Sequence, residues 1–258
     1  MIEEPCHSTI DTIVRILRDA KSILFITGAG ISADSGIPTY RGVGGLYNVD
    51  TTEEGFSIEE ALSASMLAEN PAITWKYLAQ IGQAVSGSTF NRAHEVIAEI
   101  VSHFNRVWTI TQNVDGFHSQ AGAKNVIEAH GNMHSISCTK CDYQIQTDDF
   151  KAIEIPPKCP KCNALIRPDV ILFGELLNGQ AIAVMQEEVQ RGFDVVFSIG
   201  TSSVFPYIQA PLELARQRGN PTIEINPSET SVTRMVDYHL PMGAAAALDE
   251  IWKRHCSA

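Results

Sequence analysis

Between Arg106 and Cys141 the chain gathers side chains able to bind and react. A β-branched and aromatic run, Arg106-Val-Trp-Thr-Ile-Thr111, stops in Gln112, Asn113 and Asp115. A second short apolar run, from Asn125, stops at His130-Gly131, and Cys138-x-x-Cys141 follows within a few residues. In an open parallel sheet, ligands sit beyond the carboxyl ends of the strands, so two such endings mark a candidate reaction centre. His130 suits a general base, because an unperturbed imidazole titrates at about 6.5 and takes a proton from a hydroxyl near neutral pH. His118 and His134 are its rivals on residue type. Asn113 and Asp115 suit the orienting of a ribose or a water, and equally a turn after a strand.

Cys138-x-x-Cys141 and Cys159-x-x-Cys162 form two close pairs, each beside turn residues. Four thiolates at that spacing match the tetrahedral preference of zinc. A complete set of four leaves no open coordination position, so the expected ion is structural and takes no part in chemistry. Cys6 and Cys256 stand apart, near the two ends.

Gly28-Ala29-Gly30-Ile31-Ser32-Ala33 follows the short apolar run Ser22–Thr27 and matches G-x-G-x-x-G/A. Glycines there permit a tight turn and close approach of backbone to a pyrophosphate. A turn that merely packs a helix on the sheet is the alternative. A dehydrogenase continues into a second strand ending in an acid about 20 residues on. Here Asp50, Glu53 and Glu54 follow a Gly-rich loop instead, which argues against simple hydride transfer. Gly200-Thr201-Ser202 and Glu224-Ile225-Asn226 end two further runs in small hydroxyl and amide groups suited to a nucleotide.

The elements that must position these groups alternate between strand and helix. Ile10, Ile13, Val14 and Leu17 recur at helical spacing over 8–20, with Ser8 and Asp11 as a capping pair. Residues 57–85 read as helical with a break at Asn70-Pro71, and Arg92–Phe104 is amphipathic. Helices are expected over 180–192 and 206–218. Short continuous apolar runs at 107–111, 169–173, 194–199 and 221–225 suit strands buried on both faces of a parallel sheet. The alternation predicts a doubly wound α/β fold. Residues 36–47 read as a long loop over the site, and 134–166 as an inserted module.

At 258 residues with 44% hydrophobic side chains the chain is long enough for a substantial core. Its formal charge of −11 argues against general nucleic-acid binding and suits a basic peptide partner or plain solubility. No signal-type segment and no apolar run of roughly 18 residues is present, so a cytoplasmic protein with no membrane association is expected.

Taken together and in order, Gly28-Ala-Gly-Ile-Ser32, Gly36-Ile-Pro-Thr-Tyr-Arg41, Thr111-Gln-Asn-Val-Asp115, His130-Gly131, the four cysteines, Pro168–Glu175, Gly200-Thr-Ser202 and Ile225-Asn226 resemble the sirtuins. These are the Sir2 family of NAD-dependent protein lysine deacylases, and the likeness is to the small bacterial-type members that consist of a catalytic core. The resemblance covers about residues 20–252. It implies a Rossmann-like NAD-binding domain (about 1–38, 88–133 and 167–258). It also implies a smaller domain made of a helical insertion (about 39–87) and a zinc ribbon (about 134–166). It implies two cofactors, NAD as co-substrate and one structural zinc on Cys138, Cys141, Cys159 and Cys162.

By the same resemblance Gly28, Ala29, Gly30 and Ser32 hold the pyrophosphate, with Tyr40 and Arg41 from the loop. Gln112, Asn113 and Asp115 line the ribose and nicotinamide pocket, and Gly200, Thr201, Ser202, Asn226 and Ala244 take the adenosine half. An acyl-lysine peptide is laid between two strands, one carrying Val170, Phe173, Gly174 and Glu175 and the other being the Val204–Tyr207 stretch, with Val204 as its contact. The implied mechanism has the acyl oxygen attack the anomeric carbon, nicotinamide leave and an alkylimidate form. His130, with Asn113 and Asp115 in support, then acts as base on a ribose hydroxyl, giving free lysine and O-acyl-ADP-ribose. That consumption of NAD accounts for the missing dehydrogenase continuation.

Two departures from the family pattern matter. Thr39-Tyr40 stands where the family commonly has Asp-Phe, which bears on how nicotinamide is shielded and exchanged. Sirtuins that prefer succinyl- or malonyl-lysine carry Tyr-x-x-Arg in the helical insertion. The closest match here, Tyr77-x-x-Gln80, offers no cation, so uncharged acyl groups are expected, acetyl first. The alternatives are an NAD-dependent ADP-ribosyltransferase, in which a protein or nucleic acid is the acceptor, and a zinc-ribbon binding module tuned by NAD.

Overall fold

The computed structural model describes residues 4–38 and 51–257. In chain order the strands are β1 (Ser22–Thr27), β2 (Arg106–Thr111), β3 (Val126–Glu128), β4 (Gly131–Cys138), β5 (Gln144–Gln146), β6 (Ile166–Val170), β7 (Val195–Ile199), β8 (Thr222–Ile225) and β9 (Tyr238–Leu240). The helices are α1 (Glu4–Asp19), α2 (Ile58–Ala61), α3 (Ala64–Glu69), α4 (Pro71–Ser86), α5 (Arg92–Ile100), α6 (Phe117–Gln120), α7 (Gly179–Arg191), α8 (Pro206–Gln217) and α9 (Ala244–Cys256).

Apolar runs with no alternation need cover on both faces. They receive it in a six-stranded sheet of order β3-β2-β1-β7-β8-β9, in which every neighbouring pair is parallel. Helices α1, α5 and α9 cover one face, where Ile10, Ile13, Ile97 and Ile251 meet Phe25 and Phe197. Those two phenylalanines, from adjacent strands, pack with ring centroids 5.2 Å apart. Helices α7 and α8 cover the other face, where Met185, Ile208 and Leu212 meet Leu24 and Val196. The strand order runs one way from β1 to β3 and the other way from β7 to β9. The two halves part between β1 and β7, which is the topological switch point of a doubly wound sheet.

A smaller unit forms from two segments far apart in sequence. An antiparallel sheet of order β5-β4-β6 shares a core with α2 and α4, in which Trp75, Leu78, Met133, Ile136, Phe150 and Ile166 are buried. Trp75 is fully buried and donates its indole N–H to the Ile166 carbonyl at 2.9 Å. Among the described residues no helix is long and apolar enough to cross a membrane.

Three expectations need correction. The run 169–173 is not a strand of the parallel sheet. The strand spans Ile166–Val170 and pairs antiparallel with β4. A run buried between a helical layer and a small sheet has the same composition as one buried between two helical layers, and composition carries no direction. Helix α1 begins at Glu4, so Ser8 and Asp11 lie inside it, and Ser8 offers its carbonyl to the Thr12 hydroxyl at 3.0 Å. Helix α5 stops at Ile100, although Val101 and Phe104 still pack on the core. Helix α9 and the edge strand β9 lie beyond the last run recognised in the sequence.

Gly82 sits inside α4 with its missing side chain facing the Phe150 ring. A Cβ built there would lie 2.3 Å from the ring's Cγ. Replacing a helical glycine by alanine ordinarily stabilises by about 0.5–1 kcal/mol. Here overpacking of a buried ring, which costs about 1–3 kcal/mol, should win. Gly82→Ala is expected to lower the unfolding midpoint in denaturant titration; an unchanged or higher midpoint would contradict the contact.

Candidate active site

The loops leaving β1 and β7 cross at backbone contact. The Gly28 N–H donates to the Ile199 carbonyl at 3.1 Å and the Gly30 N–H to the Gly200 carbonyl at 2.8 Å. A Cβ on Gly30 would lie 2.7 Å from the Gly200 Cα, and one on Gly28 would lie 2.7 Å from the Thr201 Cβ. Gly200 has φ +59, and a Cβ there would lie 2.4 Å from the Ile31 nitrogen. The glycines of the Gly-rich loop are therefore required by the protein's own packing, and both named amides point into it. The segment after them, Ala29–Ser35, is a 3₁₀ turn closed by Gly36 in the left-handed region.

The side chains ending β2 tie this crossing together. Asn113 donates its amide to the Gly28 carbonyl at 3.2 Å and to the Ser32 hydroxyl at 3.1 Å. The Ser32 hydroxyl donates to the Asp115 carboxylate at 2.7 Å, and the Phe117 N–H donates to the other carboxylate oxygen at 3.0 Å. Asn113, Asp115 and Ser32 are all buried. On the other side Gln112 donates to the Thr201 hydroxyl at 2.6 Å, and Asn226 donates to the Thr201 carbonyl at 3.2 Å. The structure thus brings Gly28, Gly30, Ser32, Gln112, Asn113, Asp115, Gly200, Thr201 and Asn226 into one connected set. Ala29 lies on the same turn. Ser202 is exposed, and its carbonyl accepts from the Ser231 hydroxyl at 2.9 Å. Ala244 is buried at the first turn of α9, beside the turn that follows Gly28. Tyr40 and Arg41 lie outside the described residues.

Three histidines competed for the role of base, and their partners separate them. His118 is sealed in the core with one ring nitrogen 2.9 Å from the Thr27 hydroxyl, and burial pushes its pKa down to about 3. His134 has both ring nitrogens engaged, one by the Asp148 carboxylate and the other by the Asp115 carbonyl at 2.9 Å. His130 is half-buried directly after β3, with Nε2 on the Tyr207 hydroxyl. Burial lowers its pKa, and a hydrogen bond with the Gln112 backbone opposes that shift. Gly131, at φ +81, is needed beside it because a Cβ would lie 1.9 Å from the Asp169 carbonyl oxygen.

The residues expected along a substrate peptide divide into two groups. Phe173 and Val204 are exposed, at 39% and 59%, as is Gly174. Val170 is buried in the small core, and Glu175 is held by Arg167 at 2.5 Å and by the Leu172 N–H at 2.8 Å. Phe173 exchanges backbone bonds with the helical insertion, its N–H going to Leu62 and its carbonyl taking the Ala64 N–H. Sequence reading missed His94, which is fully buried with its ring 4.9 Å from that of His118. The signal was present in the spacing Asn91-x-x-His94. Asn91 caps α5, and its backbone N–H donates to the His94 ring at 3.2 Å. Tyr207 was read only as part of a peptide-binding stretch.

The four cysteines converge. Their sulfurs all lie within 4.8 Å of one another, with Cys138 to Cys162 at 3.5 Å and Cys141 to Cys159 at 3.6 Å. A tetrahedron with zinc–sulfur arms of about 2.3 Å has edges of about 3.8 Å, so the donor set fits one zinc ion. Each pair sits on a turn closed in the same way, by Cys138 N–H to the Tyr143 carbonyl and by Cys159 N–H to the Ala164 carbonyl. Cys159 is also part of the buried small core, so the ion would brace that core. Chelation, or Cys159→Ser, is expected to strip amide hydrogen-exchange protection from β4, β6 and α4 while leaving β1 and β7 protected. Metal analysis should give one zinc per chain.

The Sir2 family profile matches residues 28–206. NAD-dependent protein deacylase 2 of Pseudomonas aeruginosa is 47% identical over 234 residues, covering 90% of this chain and 91% of that protein. NAD-dependent protein deacylase 1 of Archaeoglobus fulgidus is 37% identical over 242 residues, covering 93% and 96%. A crystal structure of a Sir2 homologue–NAD complex superposes with a TM-score of 0.85 at 36% identity, over 96% of this chain and 94% of that one. With the profile spanning the crossing loops, the β2 end, His130 and the cysteine turns, the chain belongs to the Sir2 family.

Proposed function

We propose that this protein is an NAD-dependent protein lysine deacylase that prefers acetyl-lysine and yields nicotinamide, free lysine and O-acyl-ADP-ribose. One observation carries the reading: Asn113, Ser32 and Asp115 are bonded together where the sheet parts and His130 stands at the same carboxyl end of the sheet, beside the Gln112 backbone, in a chain whose relatives are named NAD-dependent protein deacylases. The residues fit NAD as co-substrate, which supplies an anomeric carbon with nicotinamide as leaving group. The 3₁₀ turn that begins at Ala29, at the carboxyl end of β1, is the place for a pyrophosphate. Gln112, Thr201 and Asn226 present amide and hydroxyl groups to a sugar. The buried Asp115 carboxylate stabilises positive charge as the nicotinamide bond breaks. His130 removes a proton from a ribose hydroxyl.

The acyl preference follows from charge. Lys76, the cation in the segment where carboxylate-reading sirtuins place arginine, is held by Glu53 at 2.7 Å and Glu54 at 2.6 Å. The Lys76 ammonium, and after it the Tyr77 hydroxyl that donates to Glu54 at 2.5 Å, lower the pKa of that carboxylate to about 2. A succinyl carboxylate would meet these anions rather than a free cation. With NAD and a panel of acyl-lysine peptides, nicotinamide release is expected to be at least tenfold faster for acetyl than for succinyl. Faster succinyl removal would overturn the preference. Label from NAD should appear in O-acetyl-ADP-ribose; label on protein would favour ADP-ribosyl transfer.

A base must be neutral to act, and burial holds His130 below the ordinary imidazole value. The acid limb of the deacylation profile is therefore expected below pH 6.5, with activity falling as pH drops through the His130 pKa. His130→Ala should lower turnover by a factor of at least 10² while leaving the unfolding midpoint nearly unchanged.

A further inference from the structure

The ring nitrogen available for base catalysis already has a partner. Nε2 of His130 is hydrogen bonded to the Tyr207 hydroxyl, and which of the two donates depends on the tautomer. A base acting at Nε2 needs its lone pair there, so the competent neutral imidazole carries its proton on Nδ1. In that tautomer Tyr207 donates its O–H to Nε2.

Tyr207 is held in place by aromatic packing. Its ring stacks on Phe205 at 5.7 Å and 21°, and both rings meet the imidazole edge-on, at 6.1 Å for Phe205 and 6.2 Å for Tyr207. It lies in the first turn of α8, between Pro206 at the helix start and the fully buried Ile208. Burial pushes the phenol up to about 12, so the hydroxyl keeps its proton at neutral pH.

A neutral imidazole offers one lone pair at Nε2, and a phenol occupies it. A ribose hydroxyl reaching this point either evicts Tyr207 or binds to it. Eviction would leave a half-buried hydroxyl without its partner and disturb the stacked Phe205 and Tyr207 rings that meet the imidazole edge-on. Binding needs neither, because a tyrosine oxygen can accept one hydrogen bond while donating another. We propose that Tyr207 is a catalytic residue that relays the ribose proton to His130. The ribose O–H bond breaks as its proton passes to the Tyr207 oxygen, and the phenolic O–H breaks as its proton passes to Nε2. The ribose oxygen keeps the electron pair with which it attacks the acyl carbon. The phenol ends neutral and the imidazole ends as imidazolium. The inference rests on His130 being the base of a deacylation reaction.

Tyr207→Phe keeps the stacked rings and removes only the hydroxyl. In the ligand-free protein the ¹⁵N resonance of His130 Nε2 should move towards that of an unbonded imine nitrogen; an unmoved resonance means that the contact is absent, and the relay falls. With NAD and acetyl-peptide, nicotinamide departs before the base is needed. Labelled nicotinamide should thus still exchange into NAD at a rate within about twofold of wild type, while net deacylation falls at least tenfold. Deacylation at or above the wild-type rate would show that ribose reaches His130 directly, and overturns the relay. Loss of exchange and deacylation together would mark Tyr207 as a structural or binding residue, and overturns it too. If the wild-type protein releases no nicotinamide with any acyl peptide, the deacylase reading itself falls, a result distinct from both.

Discussion

The crossing of the β1 and β7 loops is the constraint on which the other parts depend. Two backbones meet there with no room for a Cβ on Gly28, Gly30 or Gly200. Overpacking at such a place moves backbone, because neither side has a flexible group to give way. The crossing also anchors the side chains. Asn113 reaches the Gly28 carbonyl, and Gln112 reaches Thr201, the residue after Gly200. The polar groups that end β2 are therefore set by bonds to the crossing itself. A ligand seated where the sheet parts meets groups already oriented, which lowers the ordering cost of binding.

The cysteine turns act on the same site from a distance. Strand β4 starts at Gly131, the residue after His130, and the His130 carbonyl takes the Ile171 N–H at 2.9 Å. Ile171 follows β6, the strand that pairs with β4 as it runs into the first cysteine turn. Strand β6 holds β4 at both of its ends, and an ion on the four sulfurs would brace the far one. Past β6, Phe173 bonds to Leu62 and Ala64, which joins the ribbon to the helical insertion. An ion held by those sulfurs would thus help to fix the backbone on which His130 is carried.

The sequence was most legible where one residue type has one physical use. Paired cysteines, strand ends carrying amides and hydroxyls, and the helical breaks at Asn70-Pro71 all appear where their spacing put them. It was less legible where two structures share a composition. The run at 169–173 was apolar because it enters the small core, through Val170 and Leu172, and nothing in it distinguished that core from the large one. The Gly-rich loop was read for its amides, yet two of them serve the crossing, because a sequence does not reveal which strand a loop will touch. Val170 and Glu175 matched a family motif, while their side chains face a core and an arginine. His94 and Tyr207 were hidden for a related reason. Each gains its meaning from a partner distant in sequence, His118 in one case and His130 in the other.

The buried histidine pair puts no positive charge beside Asp115. His94 and His118 pack against each other, and burial lowers their pKa values to about 4 and about 3. Both are therefore neutral at physiological pH, although Asp115 favours the protonated form of His94. Each keeps one ring nitrogen without a partner among the described residues, Nε2 of His94 and Nδ1 of His118. Such atoms are expensive in a core, and a carboxylate close by would ordinarily draw a proton onto one of them. Desolvation wins here, so no imidazolium forms beneath Asp115. The carboxylate's own bonds are to a serine hydroxyl and a backbone amide, and among the described residues no cation pairs with it. A salt-bridged carboxylate would meet an incoming substrate already neutralised. This one is held in place by neutral donors, and in the proposed reaction it would face the positive charge that develops while the nicotinamide bond is breaking.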